Sequence, residues 1–412
     1  RDRDVTGVQT CALPIFCSPF FSRLAECLSR EGHQIHKVNF NGGDAAYWNG
    51  LPASSYRGNV NGLHDFLQLL FQRHQITDIV LFGDRRPIHR PAVALAQSLG
   101  VRVHVFEEGY FRPHWVTLER EGVNAHSLLP RDPAWYRAIG GQLGAVQPPE
   151  TFRSTLRVRA THDVLYHLAS LSNPLLYPGY QTHAPYVAPI MYAGFVRRYA
   201  CKSRHERRDK TVIDGLIAAR TPYYLLPLQL NSDAQIRDHS SFRDMPEVMA
   251  YVIESFARQA PADSRLVIKN HPLDMGLLSY PRIISSLARQ FDIEGRVDYL
   301  ETGNLEALVQ HARGTVTVNS TVGGVTLQFG CPTLALSDPF YNLPGLTFQG
   351  ELDLFWQHAE PPDQELFRCF RATVIQATQI NGGFYCKRGI ELAVKNSISP
   401  LTAETPPLEA LL

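Results

Sequence analysis

The chain has 412 residues, 44% of them hydrophobic and 19% charged, with a formal net charge of +1. Those values are those of a soluble globular protein too long for one ordinary core, so two domains are expected, and no general electrostatic attraction to nucleic acid is. The seven cysteines are scattered, without a C-x-x-C pair or zinc-like Cys/His spacing, which suits a reduced, cytoplasmic setting. No apolar run approaches the roughly 18–20 residues of a membrane-crossing helix.

Residues 1–16 (RDRDVTGVQTCALPIF) show neither helix nor strand period and resemble translated adapter sequence. They are set aside as a non-native segment, with the expectation that a true first strand is missing or replaced. From residue 17 the pattern is regular. Phe20–Arg30 reads as an amphipathic helix, Gln34–Phe40 as a strand ending in Asn41-Gly-Gly-Asp44, and Leu63–Arg73 as a helix. Thr77–Phe82 is a strand ending in Gly83-Asp-Arg-Arg86, Pro91–Leu99 a helix, and Val101–Phe106 a strand running into Glu107-Glu-Gly-Tyr-Phe-Arg-Pro113. Strands alternating with helices imply parallel βαβ units, hence a first Rossmann-like domain over 17–129.

Residues 130–215 break the rhythm and are expected to form a helical insertion and basic linker. Its end, Phe195–Lys210 (FVRRYACKSRHERRDK), is the most basic stretch. It reads either as a solvated helix or as a site for anionic lipid head groups. A second α/β rhythm follows over 216–360: strands at Tyr223–Pro227, Arg265–Lys269, Val297–Leu300, Gly314–Val318 and Pro332–Leu336, with helices between them. Residues 361–412 read as helices and a loose tail from Ser397. The fold class is thus α/β, with two Rossmann-like domains facing a cleft, as in GT-B glycosyltransferases.

Nicotinamide, P-loop and α/β-hydrolase signatures are absent, as is a D-x-D pair for Mg²⁺. What remains are polar loops at strand ends, where open α/β sheets bind ligands. Glu107 and Glu108 leave their strand on opposite faces, and either could serve as general base or as nucleophile at an anomeric carbon. The alternative is a solvated acid pair with Arg112. Lys269-Asn-His271-Pro272 could meet a leaving phosphate, with His271 as general acid. Asn319, Ser320 and Thr321 enter a helix and could bind an anion, or simply cap it. Gln229 opens a polar loop in which Arg237 and His239 could face a carboxylate. Asp44, Asp84 and Arg86, with Tyr110 and Arg112, are placed on the opposite rim.

Together the motifs Asn39-Phe-Asn-Gly-Gly-Asp44, Gly83-Asp-Arg-Arg-Pro87, Glu107-Glu-Gly-Tyr-Phe-Arg-Pro113, Pro227-Leu-Gln-Leu-Asn-Ser-Asp233, Arg237-Asp-His-Ser240, Lys269-Asn-His-Pro272 and Val318-Asn-Ser-Thr321 resemble the capsular polysaccharide β-Kdo transferases of Gram-negative bacteria, in the single-module KpsS type. The resemblance implies CMP-β-Kdo as donor and a lyso-phosphatidylglycerol acceptor. It also implies a retaining reaction with Glu108 the favoured reacting carboxylate, and no metal or other cofactor. Lys269, Pro272, Asn319, Ser320, Thr321, Gln229, Arg237 and His239 are then the donor-binding residues. The enzyme would lie in the cytoplasm, peripheral to the inner membrane, with capsule assembly proteins as further partners. Two other readings remain: a sialyltransferase-like enzyme using another sugar nucleotide, and a non-catalytic component of capsule assembly or export.

Overall fold

The computed structural model describes residues 9–13, 16–48, 50–182, 188–231, 236 and 240–412. The chain divides into two compact units. Unit 1 comprises 1–129, 143–183 and 372–412; unit 2 comprises 130–142 and 184–371. The segment expected as a separate helical insertion is therefore shared between the units, and so is the C-terminal segment.

The first unit starts with β1 (Gln9–Leu13), α1 (Phe20–Arg30), β2 (Gln34–Asn39), α2 (Gly42–Ala46), β3 (Ala53–Ser55), α3 (Leu63–His74), β4 (Asp78–Phe82), α4 (His89–Ser98), β5 (Arg102–Glu108) and β6 (Trp115–Arg120). Helix α5 (Pro133–Leu143) falls in unit 2 but for its last residue, and α6 (Leu156–Ser170) and α7 (Asn173–Leu176) return to unit 1. The second unit takes α8 (Ala188–Ala200), α9 (Lys202–Ala218), β7 (Tyr223–Pro227), α10 (Met245–Gln259), β8 (Arg265–Lys269), α11 (Tyr280–Gln290) and β9 (Val297–Leu300). It continues with α12 (Leu305–His311), β10 (Gly314–Thr317), α13 (Val322–Gln328), β11 (Thr333–Ala335) and α14 (Leu352–His358). Along α15 (Gln364–Thr378) the chain passes back into unit 1, which closes with β12 (Gln379–Asn381) and α16 (Lys387–Thr402).

Sheet 1 has the order β12-β6-β5-β4-β1-β2-β3. Its strands β3, β2, β1, β4 and β5 are parallel, while β6 and β12 add antiparallel partners at one side. The side-chain period of 2 sorts β4 cleanly. Val80 and Phe82 join Phe20, Phe21 and Phe106 on the face covered by α1 and α16. Ile79 and Leu81 join Leu67 and Phe71 on the face covered by α3 and α4.

Residues 9–13, set aside in the sequence reading, form the strand between β2 and β4, and Cys11 and Leu13 are fully buried. Thr10, Cys11, Ala12 and Leu13 are small or apolar and fill a slot walled on both sides, where alternation is not required. The C-terminus also departs from expectation. Residues 397–402 continue α16, and Arg120 holds the next turn by donating to the carbonyls of Ala403 (2.9 Å) and Glu404 (3.0 Å).

Sheet 2 has the order β11-β10-β7-β8-β9 and is parallel throughout. Its central strands β7 and β8 read as near-continuous apolar runs because both their faces are covered. Tyr224, Leu226 and Ile268 pack with α10, while Tyr223, Leu225 and Val267 pack with α9 and α12. At the start of α10 the Asp244 side chain accepts from Glu247 N at 3.0 Å, satisfying one of the helix's free donors.

Candidate functional site

In unit 1 the strand order reverses between β1 and β4, the topological switch point where open α/β sheets form a crevice at the carboxyl ends of the strands. Gly83, just past β4, donates its N–H to Phe106 O (2.9 Å), joining the Gly83-Asp-Arg-Arg-Pro87 loop to β5. Glu107 and Glu108 are not in a loop, as expected, but close β5 itself, because β6 pairs with them as Glu107↔Thr117 and Glu108↔Val116. Gly109 then passes so close to β6 that a Cβ there would lie 2.0 Å from Trp115 O.

The two glutamates meet different surroundings, as side-chain alternation requires. Glu107 feels Arg86 and accepts from Glu108 N at 2.9 Å through Oε1. Burial outweighs these contacts and raises its pKa to about 7. Glu108 instead faces Arg159 of α6 (3.5 Å) and accepts from the Tyr385 hydroxyl (3.4 Å). The Arg159 guanidinium lies 4.7 Å from the centre of the Tyr385 ring. One carboxyl group can thus exchange a proton near neutrality, while its neighbour is held by a cation and a phenol. Arg159 and Tyr385 escaped the sequence reading because neither sits in a strand-end motif.

The expected rim residues separate into two groups. Arg86 is half-buried, with its guanidinium 5.1 Å from the centre of the Phe82 ring, and it acts electrostatically on Glu107, Asp44 and Tyr385. Arg112 is exposed, donates to Gly109 O (3.4 Å) and also acts on Glu107. Asp84, Asp44 and Tyr110 are buried, and their groups are tied into local structure. Asp84 pairs with His126 at 3.3 Å, and burial pushes its pKa up against that pairing. The Asp44 carboxylate accepts from Phe40 N (3.1 Å) and from the Tyr166 hydroxyl (3.1 Å). The Tyr110 hydroxyl donates to Glu119 (2.7 Å) and accepts from Asn124 N (2.8 Å). A carboxylate or phenol so occupied holds a loop in place; it does not offer itself at a rim.

Unit 2 has its own switch point, between β7 and β10. Gln229, two residues past β7, and Asn319, two past β10, bridge it with reciprocal bonds. Gln229 Nε2 donates to Asn319 Oδ1 at 2.9 Å, and Asn319 N donates to Gln229 Oε1 at 3.3 Å. Ser320 Oγ accepts from Val322 N (3.2 Å), so the hydroxyl next to Thr321 caps α13. At the end of β8, Lys269 is buried, and desolvation lowers its pKa, with Arg198 nearby adding to the effect. His271 and Pro272 begin the turn that follows. There His271 N donates to Asn270 Oδ1 (2.8 Å), and His271 Nδ1 accepts from Leu273 N (3.1 Å). Arg237 and His239 lie outside the described residues.

The basic stretch has work inside unit 2. Arg198 donates to the carbonyls of Pro272 (2.9 Å) and Asp274 (2.6 Å) and pairs with Glu301 at 2.5 Å. Arg197 donates to Gly276 O, and Arg208 pairs with Asp209. Arg197 and Arg198 brace the turn after β8, which removes these two from the lipid-binding role considered for the segment. Arg198 and Glu301 were missed in the sequence because their pairing spans about a hundred residues. Among the described residues no helix is long and apolar enough to cross a membrane.

Comparison with known proteins agrees with the motif reading. The family model described as "Capsule polysaccharide biosynthesis protein" matches residues 77–385. The chain is 35% identical to the capsule polysaccharide modification protein LipB of Neisseria meningitidis serogroup B over 377 residues, 89% of each chain. It is also 35% identical to the capsule polysaccharide export protein KpsS of Escherichia coli over 368 residues, 89% of this chain and 94% of that one. Among solved structures, a β-Kdo 2,7 transferase of Thermosulfurimonas dismutans KpsC aligns with 95% of this chain and 99% of its own, at 14% identity and a TM-score of 0.43. By the family match and the two relatives, the chain belongs to the capsule polysaccharide biosynthesis protein family.

Proposed function

We propose that this protein is a retaining glycosyltransferase that moves a β-Kdo residue from CMP-Kdo to a lyso-phosphatidylglycerol acceptor in capsule linker synthesis. The observation that carries the proposal is the pair of adjacent carboxylates in contrasting environments at the carboxyl end of β5, Glu107 with a pKa near 7 and Glu108 beside Arg159 and Tyr385. A carboxyl group that exchanges a proton near neutrality, next to one held by a cation and a phenol, offers one site both a proton-transfer group and a second carboxyl group. Membership of the capsule polysaccharide biosynthesis family favours a capsular sugar.

In this reading the Glu108 carboxylate attacks the anomeric carbon of the donor. The bond from that carbon to the phosphate oxygen breaks, and its electron pair leaves with CMP. The acceptor hydroxyl, giving its proton to Glu107, then displaces Glu108 and restores the carboxylate. Two displacements at one carbon return the original configuration. Gln229, Lys269, His271, Pro272, Asn319, Ser320 and Thr321, with Arg237 and His239, are assigned to the donor, and His271 to protonation of the departing phosphate. A monophosphate leaving group can be stabilised by hydrogen-bond donors alone, so no metal is assigned. The acceptor lipid would place the enzyme at the cytoplasmic side of a membrane, alongside other capsule assembly proteins.

The test is incubation of the purified protein with CMP-Kdo and a short-chain lyso-phosphatidylglycerol, read by mass spectrometry. Kdo addition is expected, together with a trappable Kdo adduct on Glu108 when turnover is slowed. Transfer from CMP-sialic acid and none from CMP-Kdo would overturn the donor assignment.

A further inference from the structure

Helices α6 and α7 carry a surface that neither the core nor the carboxylate site accounts for. Val164, Leu165, Leu168, Leu171, Leu175 and Leu176 are all exposed, Leu171 at 76% and Leu175 at 87%. Single exposed leucines are ordinary; a continuous stripe of them marks a surface that meets something apolar. The helical period puts Val164, Leu168 and Leu171 on the side of α6 opposite Arg159 and Tyr166. The inner side is committed, since Arg159 meets Glu108 and the Tyr166 hydroxyl meets Asp44. The outer side is left to solvent.

We propose that this α6–α7 face is where the protein rests on a lipid bilayer containing anionic head groups. Charge complementarity supports that occupant. Past Glu150, which pairs with Arg388, the exposed ionic side chains leading into the stripe are Arg153 and Arg157. At its far end lies Arg57, also exposed, whose carbonyl accepts from Gly179 N at 3.2 Å. The single carboxylate of α6, Asp163, is half-buried and acts electrostatically on Cys17 and Arg159, towards the inner side. An apolar stripe edged by arginine is the composition of a helix lying in the head-group boundary. A protein partner would instead be expected to meet aromatic and arginine anchors in pockets, and the stripe is aliphatic.

The position agrees with the surface. Residues directly after α7, Gly179 and Tyr180, line a cavity of about 110 Å³ with Tyr56, Asn59 and Arg86. Arg86 in turn acts on Glu107. A bilayer against the outer side of α6 would lie about one helix diameter, roughly 10 Å, from the residues that hold Glu108. The surface stands without the transferase assignment; only its use in meeting a lipid acceptor rests on that reading.

The experiment is co-sedimentation of the full chain with phosphatidylcholine vesicles, with and without phosphatidylglycerol. The chain is compared with Leu168→Glu/Leu171→Glu/Leu175→Glu and with a control, Lys202→Glu/Arg204→Glu. The parent and the control are expected to bind the anionic vesicles, and the triple variant to lose the bound fraction by about tenfold or more. Because the leucines are exposed, the triple variant should keep its thermal midpoint and its turnover of a water-soluble acceptor. Vesicle binding by the parent and control but not the triple variant, with no turnover in any of them, would sink the transferase reading and leave the docking face standing. Equal vesicle binding by the triple variant, or loss only in the control, overturns the proposal. So does a concentration-dependent dimer in sedimentation velocity that the triple variant abolishes, since the stripe then meets a second copy.

Discussion

At Glu107 stability and activity are expected to oppose each other. Burial raises its pKa from the ordinary 4.5 to about 7. At about 1.4 kcal/mol per pH unit, ionising it in the folded protein costs about 3 kcal/mol more than in the unfolded chain. The sign follows from which state holds the proton more tightly. That is the folded state, so the contribution of Glu107 to stability is fully present below pH 4.5 and is lost as the pH rises through 7. Glu107→Gln keeps the oxygen that accepts from Glu108 N and cannot ionise. Its thermal midpoint should therefore exceed the parent's at pH 8, by about 2–4 °C per kcal/mol for a unit of this size. The advantage should shrink towards nothing near pH 4. Turnover should fall about 100-fold or more if Glu107 moves the acceptor proton. Melts followed by circular dichroism between pH 4.5 and 8, paired with the transfer assay, read both effects. A difference in midpoint that does not change with pH would refute the burial argument, and undiminished turnover would refute the catalytic one.

Three further outcomes follow from the geometry. Arg159→Ala leaves Glu108 without its cation and should lower kcat about 100-fold with little change in donor KM, while Arg159→Lys restores part of the rate; parental kinetics in the alanine variant would remove Arg159 from the site. Arg198→Ala frees two carbonyls of the turn after β8 and leaves Glu301 without its ion-pair partner, an arrangement whose loss costs about 3–5 kcal/mol when buried. A lower midpoint and a raised donor KM are expected, and an unchanged midpoint would show the clamp to be incidental. EDTA should leave turnover intact, because hydrogen-bond donors suffice for a monophosphate leaving group; abolition by EDTA with recovery on added Mg²⁺ would contradict that chemistry.

The parallel sheets were legible because their strands and helices have short, clean periods. Phe20–Arg30, Arg265–Lys269 and Val297–Leu300 are found where the spacing places them. Three kinds of feature were not legible. Gln9–Leu13 lies in a stretch without strand alternation, and its role comes from neighbours more than twenty residues away. Strand β6 was not assigned from the sequence, so Glu107 and Glu108 were placed beyond the strand that contains them. Pairings of long sequence separation, such as Arg159 with Glu108 and Arg198 with Glu301, leave no local pattern at all.

The Asn41-Gly-Gly-Asp44 turn shows why a polar strand-end motif need not bind a ligand to matter to a site. Its polar groups are turned inward: Asn41 accepts from Asp44 N (2.9 Å) and donates to the Tyr166 hydroxyl (2.8 Å), which donates to Asp44. A Cβ on Gly43 would lie 2.6 Å from the Tyr166 ring, so the turn lets α6 approach as few other sequences would. Two helical turns earlier, on the same side of α6, is Arg159, the partner of Glu108. The turn after β2 therefore sets where the cation beside the carboxylate stands. A residue pattern that reads as a binding loop acts here as the seat of a helix, and its effect on chemistry passes through that helix to Glu108.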